Sequence, residues 1–371
     1  MRFLLTAALT LIALIPAATA HAWIPNDPGT SGKRGGWQLD QWNLMPGTGV
    51  DAPRAWDNLR AAGRPGGRGV RIAVLDSGVS YERSPDLSKN RFERGYDFCA
   101  KLGRGGLACR GEDEDPNDEY GHGTHVASTI AETANNGKGL VGLAYGATII
   151  PVKVLNRYGD GDEETIAKGI RYAADQGADI INLSFEFGSA TFEAAQIPLI
   201  ASAVRHARRK GALIVAAAGN IAHERISYPA ALPGVVSVGA VTEHGCRAEY
   251  SNTGSDLDLV APGGGKDATL PLDPNCRPLE PAGRTILQLS FTRRNRTFRY
   301  PKSYYGTSMA APHVSATAAL VIASGVLGRN PSPKKLERHL KTTARDLGEP
   351  GRDIHYGAGL IDAGAATAPK R

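Results

Sequence analysis

Continuous apolar runs alternate along this chain with longer segments whose apolar residues recur at helical spacing. Helical spacing predicts helices over 163–176, 192–210 and 332–345, and a short helix over 51–59. Strands that are apolar throughout and separated by such helices form parallel sheets covered on both faces. The pattern therefore predicts an α/β fold with three layers and a mainly parallel central sheet, whose strands are expected at 70–75, 148–155, 178–185, 212–218, 235–241 and 257–261.

Composition argues for a globular protein without a nucleic-acid partner. The 371 residues are 42% hydrophobic and 22% charged, which is enough chain for one large core. The net charge of +6 is modest, and short basic runs at 208–210 and 293–296 are typical of solvated surfaces. Neither a zinc-finger spacing nor a glycine-rich phosphate loop occurs.

The N-terminal segment has the three parts of a secretory signal peptide. Basic residue Arg2 precedes an apolar run over 3–15, and small residues follow at 18–20. We expect cleavage after residue 20, or as late as residue 22. The alternative, an uncleaved membrane anchor, requires a longer apolar run. The protein is therefore expected outside the cell or in the periplasm and cell envelope, with no membrane attachment after cleavage.

Four cysteines, Cys99, Cys109, Cys246 and Cys276, accompany this export signal. An even number of cysteines in an oxidising compartment predicts disulfides, and none of these has zinc-site spacing. Three pairings are open from the sequence. Closure of the shorter loops favours Cys99–Cys109 with Cys246–Cys276.

Segment 306–313, Gly-Thr-Ser-Met-Ala-Ala-Pro-His, predicts a closely packed helix with Ser308 in its first turn. Unpaired N–H groups at a helix N-terminus favour a developing negative charge, so Ser308 is a candidate nucleophile. The alternative is a serine that only caps a buried helix.

Two more candidates for chemistry follow predicted secondary structure. Asp76 ends the first strong strand, at the edge where α/β folds hold functional groups, although Asp-Ser-Gly is also a common turn. His122 lies between two glycines in Gly-His-Gly-Thr-His. Metalloprotease helices need histidines four residues apart, so His125 is expected to be a hydrogen-bonded core residue.

Acyl transfer requires a nucleophile, a base, a group that orients the base and donors for the oxyanion. Asn220, at the end of Ala-Ala-Ala-Gly-Asn, completes this set with Ser308, His122 and Asp76. These four motifs resemble those of the subtilisin-like serine proteases, the subtilases, and most closely the thermitase-like branch. The order Asp, His, Ser is the known order of that family.

The resemblance extends over about residues 25–366 and implies a serine endopeptidase that acts on proteins or peptides. The glycine-rich, tryptophan-bearing segment over 23–50 is expected to be an arm that lies across the surface. The resemblance implies a catalytic domain over 51–366, a short tail over 367–371 and a monomer. A folded propeptide is not expected, because Asp27 matches the mature start. A narrow-specificity processing protease and an inactive binding scaffold are the alternatives. The scaffold is disfavoured because all four catalytic positions carry functional residues.

The resemblance also assigns substrate contacts. The segment Ser184, Phe185 and Glu186 is implied to pair with an extended peptide, and Ala217 and Gly219 to line the pocket for the side chain before the scissile bond. Relatives commonly have glycine where this chain has Glu186. Its carboxylate either forms an acidic rim that favours a basic substrate residue or is solvated and points away. The second interpretation is favoured because exposed glutamates are common.

A structural calcium ion is the cofactor that the resemblance implies, on a loop that follows the histidine helix. The alternative is an ordinary Asn-Asn-Gly turn. An oxygen-rich site of this kind suits calcium, and its implied ligands are Asp27, Asp86, Asn136 and the carbonyl groups of Thr133, Lys138 and Leu140.

Overall fold

The computed structural model describes residues 23–102, 109–187, 193–291 and 297–369. The predicted signal peptide lies outside these ranges. No helix within them is both long and apolar enough to cross a bilayer.

A seven-stranded sheet forms the centre of the protein, and each neighbouring pair of its strands is parallel. Its strand order is β2-β5-β1-β6-β7-β8-β9. Two short antiparallel pairs, β3 with β4 and β10 with β11, lie outside it. The strands are β1 Arg71–Asp76, β2 Tyr96–Asp97, β3 Lys101–Leu102, β4 Cys109–Arg110, β5 Thr148–Lys153, β6 Ile180–Leu183, β7 Leu213–Ala217, β8 Val235–Val241, β9 Leu259–Pro262, β10 Ser290–Phe291 and β11 Phe298–Arg299.

Helices cover both faces of this sheet, which confirms the predicted α/β fold. Consecutive side chains of a strand point to opposite faces. Leu75 faces Gly169 of α4, whereas Asp76, the next residue, faces Gly123 of α3. The helices of the described residues are α1 Trp37–Asp40, α2 Ala52–Ala61, α3 His122–Ala131, α4 Glu163–Asp175, α5 Pro198–Lys210, α6 Thr307–Ser324, α7 Pro333–Thr342 and α8 Ala363–Ala366.

Several predicted boundaries differ from the structure. The helix expected from residue 192 begins at Pro198 as α5, after a 3₁₀ turn over Ala194–Gln196, and residue 192 itself lies outside the described ranges. Proline fits there because the first helical turn has no N–H bond to lose. The last predicted strand begins at Leu259, two residues later than expected. The short strand β2 was not predicted, because two residues carry no periodicity.

The N-terminal arm is part of the core. We expected a segment lying across the surface, but Trp37 is fully buried and its indole donates to the carbonyl of Pro25. Its ring packs at 5.4 Å from Trp56 of α2. Burial of such aromatic rings contributes more to stability than most single contacts, so removal of the arm would expose core surface.

Both disulfides join the pairs that loop closure favoured, Cys99 with Cys109 and Cys246 with Cys276. The first links β4 to the chain just before β3. The second closes a loop of 30 residues after β8. No free cysteine occurs in the chain.

Candidate active site

Asp76 and His122 form a hydrogen-bonded pair at the carboxyl edge of the sheet. Asp76 is the last residue of β1 and His122 the first of α3. His122 Nδ1 lies 2.8 Å from Asp76 Oδ1 and 2.9 Å from Oδ2. Since a carboxylate only accepts, Nδ1 carries the proton and the neutral imidazole presents Nε2 as an acceptor.

The surroundings of His122 raise its pKa. Burial of the ring disfavours the charged form, but the charge and hydrogen bond of Asp76 and the charge of Asp118 together outweigh it. Asp76 is fully buried, whereas the side chain of His122 is 18% exposed. The ring is therefore held at the protein surface by a carboxylate that solvent does not reach.

Asp118 is a site residue that the sequence did not suggest. It is 1% exposed and accepts hydrogen bonds from the backbone N–H groups of Tyr120, Gly121 and Thr124. The hydroxyl groups of Ser77 and Thr124 also donate to it. The donors on Tyr120, Gly121 and Thr124 lie at the start of α3, so Asp118 caps the helix that begins with His122, and Ser77 joins it to the end of β1. An acidic residue four positions before that histidine was the available signal.

Ser308 is the second residue of α6 and is half-buried. Gly306 precedes the helix with a φ of 144°, which favours glycine. The Ser308 carbonyl accepts a hydrogen bond of 2.8 Å from Ser184 Oγ, just beyond β6. Because β6 pairs with β1, Ser308 lies over the neighbour of the strand that ends in Asp76.

A buried relay of side chains ties α6 to the sheet. Ser315 donates to Asn182 Oδ1 at 2.8 Å, and the amide of Asn182 donates to Ser184 Oγ at 2.9 Å. Ser184 in turn donates to the Ser308 carbonyl. The side chains of Ser315, Asn182 and Ser184 therefore bond to one another, and the start of α6 is fixed against the end of β6.

Asn220 lies beside the start of α6. Its Oδ1 accepts from Thr307 N at 2.8 Å and from Thr307 Oγ1 at 3.0 Å. The amide is thus fixed with its N–H₂ group turned away from Thr307. One Nδ2 contact reaches Glu186 Oε1 at 3.1 Å.

The interpretation of Glu186 as a solvated side chain pointing away is wrong. Its Oε1 accepts from the Asn220 backbone N–H at 2.8 Å as well as from the Asn220 amide, and its Oε2 accepts from Ser227 Oγ at 2.8 Å. The carboxylate therefore lies between the segments that follow β6 and β7. Ala217 ends β7 and is buried, Gly219 adjoins the carboxylate, and Phe185 is half-buried.

His125 is a core residue, as the sequence predicted. It is fully buried, its Nε2 bonds to the Ile286 carbonyl at 3.0 Å, and its ring stacks on Tyr304. Burial lowers its pKa to about 3. The ring is therefore enclosed in the core, with Nε2 already bonded, and does not reach the surface at which His122 lies.

The predicted calcium ligands Asp27, Asp86 and Asn136 lie together. Asn136 N donates to Asp27 Oδ1 at 3.1 Å, and Asn136 Nδ2 donates to Asp86 Oδ1 at 2.6 Å. Burial raises the pKa of both carboxyl groups. Lys138 N donates to Asn136 Oδ1, and Thr133 N donates to the Asp86 carbonyl, so the loop closes around these side chains.

Glu132, which the sequence did not suggest, is buried close to this cluster. Its Oε1 accepts from Leu140 N at 3.2 Å, and its charge is a cause of the raised pKa of Asp86. Across the described residues, no three His, Cys, Asp or Glu side chains are arranged to hold a metal ion. A cation here would need the carbonyl and amide oxygens as well.

Comparison with known proteins identifies the family. Residues 67–359 match the profile of the Subtilase family. The chain is 37% identical over 305 residues to Subtilisin Savinase of Lederbergia lenta, which covers 81% of this chain and 91% of that protein. It is also 37% identical to an Alkaline protease of Alkalihalobacillus alcalophilus, but spans only 65% of that longer protein. A solved protease structure from Pseudoalteromonas arctica matches with a TM-score of 0.71 and 32% identity, over 93% of this chain and 99% of that one. The chain therefore belongs to the subtilase family and is a serine-type endopeptidase.

Proposed function

We propose that this endopeptidase hydrolyses peptide bonds with Ser308 as nucleophile, His122 as general base and Asp76 as the group that orients the base. The supporting observation is the Asp76–His122 pair, at the same edge of the sheet as the helix start that carries Ser308. With Nδ1 bonded to Asp76, the free Nε2 is the atom that takes the serine proton.

The reaction then follows from these atoms. Ser308 Oγ attacks the peptide carbonyl carbon as its proton passes to His122 Nε2. The tetrahedral intermediate collapses, the C–N bond breaks, and His122 returns the proton to the leaving amine. Water attacks the acyl-enzyme by the same route and releases the carboxylic acid. Asp76 stabilises the imidazolium in both halves.

Asn220 is the proposed oxyanion donor, together with the backbone N–H of Ser308. Thr307 donates two hydrogen bonds to the side-chain oxygen of Asn220, so the side-chain N–H₂ group is directed towards the cleft in which the substrate would bind. Donors fixed before the reaction stabilise the oxyanion without reorganisation. Only one amide hydrogen is directed to Glu186, so the other can reach the oxyanion.

Fluorophosphonate labelling tests the nucleophile. We expect one adduct on the purified protein, located at Ser308 by mass spectrometry, and none on Ser308→Ala. The His122→Ala variant should label at least about 100-fold more slowly, because a base contributes about that much. Ser303→Ala, a change at an exposed serine five residues earlier, is the matched control and should label normally. Absence of an adduct on folded protein, or an adduct at another serine, would contradict the assignment.

A calcium ion is the proposed cofactor, held by Asp27, Asp86, Asn136 and the carbonyl oxygens of the loop. The side chains fit a cation, since Asp86 Oδ2 is buried with no hydrogen-bond partner among the described residues. Calcium would compensate the charge of two carboxylates and fasten the arm, which carries Asp27, to the loop after α3.

Thermal unfolding tests this site. Calcium at 100 times its Kd should add about 2.7 kcal/mol to the free energy of unfolding. Asp86→Asn should abolish the calcium response, and Mg²⁺ should not replace Ca²⁺, because the smaller ion demands a tighter octahedral site. An unchanged Tm with calcium in the Ser308→Ala background would refute the site.

Secretion is proposed from the N-terminal signal and the two disulfides, which form in oxidising compartments. The backbone N of Trp23 donates to Asp57 Oδ1 at 2.9 Å. Cleavage after residue 22 would make that nitrogen an ammonium group paired with the Asp57 carboxylate. N-terminal sequencing of the exported protein should give His21, after cleavage at residue 20, or Trp23, after cleavage at residue 22, and retention of residues 1–20 would contradict the proposal.

A further inference from the structure

The Glu186 carboxylate lies between the segments that follow β6 and β7. Leu183 of β6 is paired with Ala216 of β7, so the segments that follow these strands leave the sheet side by side. Glu186 belongs to the segment after β6. Its Oε1 accepts hydrogen bonds from the backbone N–H and from the side-chain N–H₂ of Asn220, in the segment after β7. The two oxygen atoms are therefore held on the side of the cleft where the oxyanion would form.

A third segment, which contains Ser227 and Tyr228, also lies against the carboxylate. Ser227 N donates to the Ala218 carbonyl at 2.8 Å, and Phe187 N donates to the Tyr228 carbonyl at 2.9 Å. Ser227 is buried, and its hydroxyl donates to Glu186 Oε2. The carboxylate is thus flanked by three chain segments, and Glu186 is half-buried, so one side of it remains open to a substrate.

Gly219 provides the room that the carboxylate occupies. Its φ of 117° favours glycine, and a Cβ on it would lie 2.5 Å from Glu186 Oε2 and 2.5 Å from Ser227 Oγ. Any side chain at position 219 would displace the carboxylate. The position of Glu186 therefore depends on this glycine, in the segment that the resemblance assigns to the pocket for the residue before the scissile bond.

The charge of Glu186 has no counter-ion among the described residues, where no cationic group lies in an ion pair with it. Asn220 and Ser227 orient it with neutral donors, which leave the charge in place. A negative charge beside Asn220 disfavours a second negative charge on the reacting carbonyl oxygen. A cation on the bound substrate would pair with the Glu186 carboxylate and lessen its repulsion of the oxyanion.

We infer that Glu186 is a specificity-determining residue that selects a lysine or arginine side chain immediately before the scissile bond. This inference rests on the proposed function, since it takes Ser308 and Asn220 as the reacting side of the cleft. The basic side chain enters the pocket beside Ala217 and Gly219, pairs with the Glu186 carboxylate and offsets its charge next to the oxyanion.

Peptides that differ only in the residue before the scissile bond test the inference. The set contains Lys, Arg, Met, Ala, Phe and Glu at that position. Lysine and methionine have similar length, so their ratio of kcat/KM isolates the charge. A charge-assisted hydrogen bond predicts a ratio of at least about tenfold in favour of lysine, with glutamate the poorest substrate. The ratio should fall with added salt, because the pair is partly exposed.

Glu186→Gln keeps the length of the side chain and removes its charge. We expect its Lys-to-Met ratio to fall by at least about tenfold. Ser227→Ala removes one donor that orients the carboxylate and should lower the ratio by less, which keeps the test valid if the Gln variant does not fold. Glu224→Gln is the matched control, since Glu224 is exposed three residues before Ser227, and it should leave the ratio unchanged.

Three outcomes would overturn the inference. The Lys-to-Met ratio could lie near one in the unmodified protein, or remain the same in Glu186→Gln. Alternatively, alanine could be cleaved best and both long side chains poorly, which would mean that the carboxylate fills the pocket. Labelling of Ser308 in the same preparations separates these failures from that of the proposed function: a labelled enzyme with no charge preference refutes only the specificity, whereas no labelling and no cleavage refute both.

Discussion

Replacement of Asp118 by asparagine should change the pKa of His122, the proposed general base, while leaving His122 itself unaltered. The carboxylate is 1% exposed and accepts five hydrogen bonds, three from backbone N–H groups and two from hydroxyls. Asparagine has the same shape, but one acceptor oxygen becomes an N–H₂ group. If that group faces Thr124, the Thr124 hydroxyl can accept from it, while the Thr124 backbone N–H loses its acceptor.

The expected loss of stability is about 2 kcal/mol. A buried N–H left without a partner costs about 1–3 kcal/mol. Loss of the negative charge at the N-terminus of α3 costs about 0.3–1 kcal/mol more. Burial raises the pKa of Asp118, so removal of the charge returns part of this cost. Asp118→Ala, which leaves all five donors without this acceptor, should cost more than the asparagine variant, because an unsatisfied buried donor costs about 1–3 kcal/mol and several are created.

The same change should alter the pH dependence of catalysis. The charge of Asp118 is one cause of the raised pKa of His122. Without it the pKa of His122 falls, so the neutral base persists to lower pH. The acidic limb of the kcat/KM profile should therefore move to lower pH in Asp118→Asn.

Two assays check these expectations. Guanidinium unfolding of Asp118→Asn in the Ser308→Ala background, which prevents self-digestion, gives the free energy of unfolding. The pH profile of kcat/KM is measured with Ser308 intact. Asp115→Asn is the control, because Asp115 is exposed in the same loop. A change in unfolding free energy below about 0.5 kcal/mol, which is typical of a surface substitution, or an acidic limb that moves to higher pH, would refute the reasoning.

Three other changes have defined outcomes. Asn220→Ala should lower kcat by about 10² to 10³ with little change in KM, as measured in steady-state assays. A rise in KM as large as the fall in kcat would contradict an oxyanion role. Removal of the Cys246–Cys276 disulfide, which spans 30 residues, should lower the free energy of unfolding by about 3.6 kcal/mol, and a loss under 1 kcal/mol in guanidinium would refute the loop-entropy estimate. His313 is buried with its pKa lowered to about 4, so the unfolded state binds its proton first as pH falls from about 6.5 to about 4. Its contribution to the free energy of unfolding is full above that window and falls by about 1.4 kcal/mol per pH unit within it, so His313→Gln should show a shallower loss in acid unfolding curves, and an unchanged slope would contradict this.

The core elements were predictable because their signals are local. Buried parallel strands such as β1, with an apolar run over 72–75, and β8, where Ser237 is the one polar side chain, lack the alternation of half-exposed strands, so their sequences distinguish them. Short elements such as β2 carry too few residues for a period, and the first turn of α5 was misplaced because Pro198 is equally compatible with a loop. Motif spacing identified Asp76, His122, Asn220 and Ser308 as candidates, and their order matches the family.

The sequence by itself determined the fold class, the two disulfide pairs favoured by short loops and the candidate catalytic residues, because each depends on nearby residues or on a recognisable motif. Only the tertiary structure decided that Trp37 of the arm lies in the core and that Glu186 turns towards Asn220 and Ser227. Glu186 lies 34 residues from Asn220 and 41 from Ser227 along the chain. The direction of such a side chain depends on which donors the folded strands bring to it, and no local pattern encodes that.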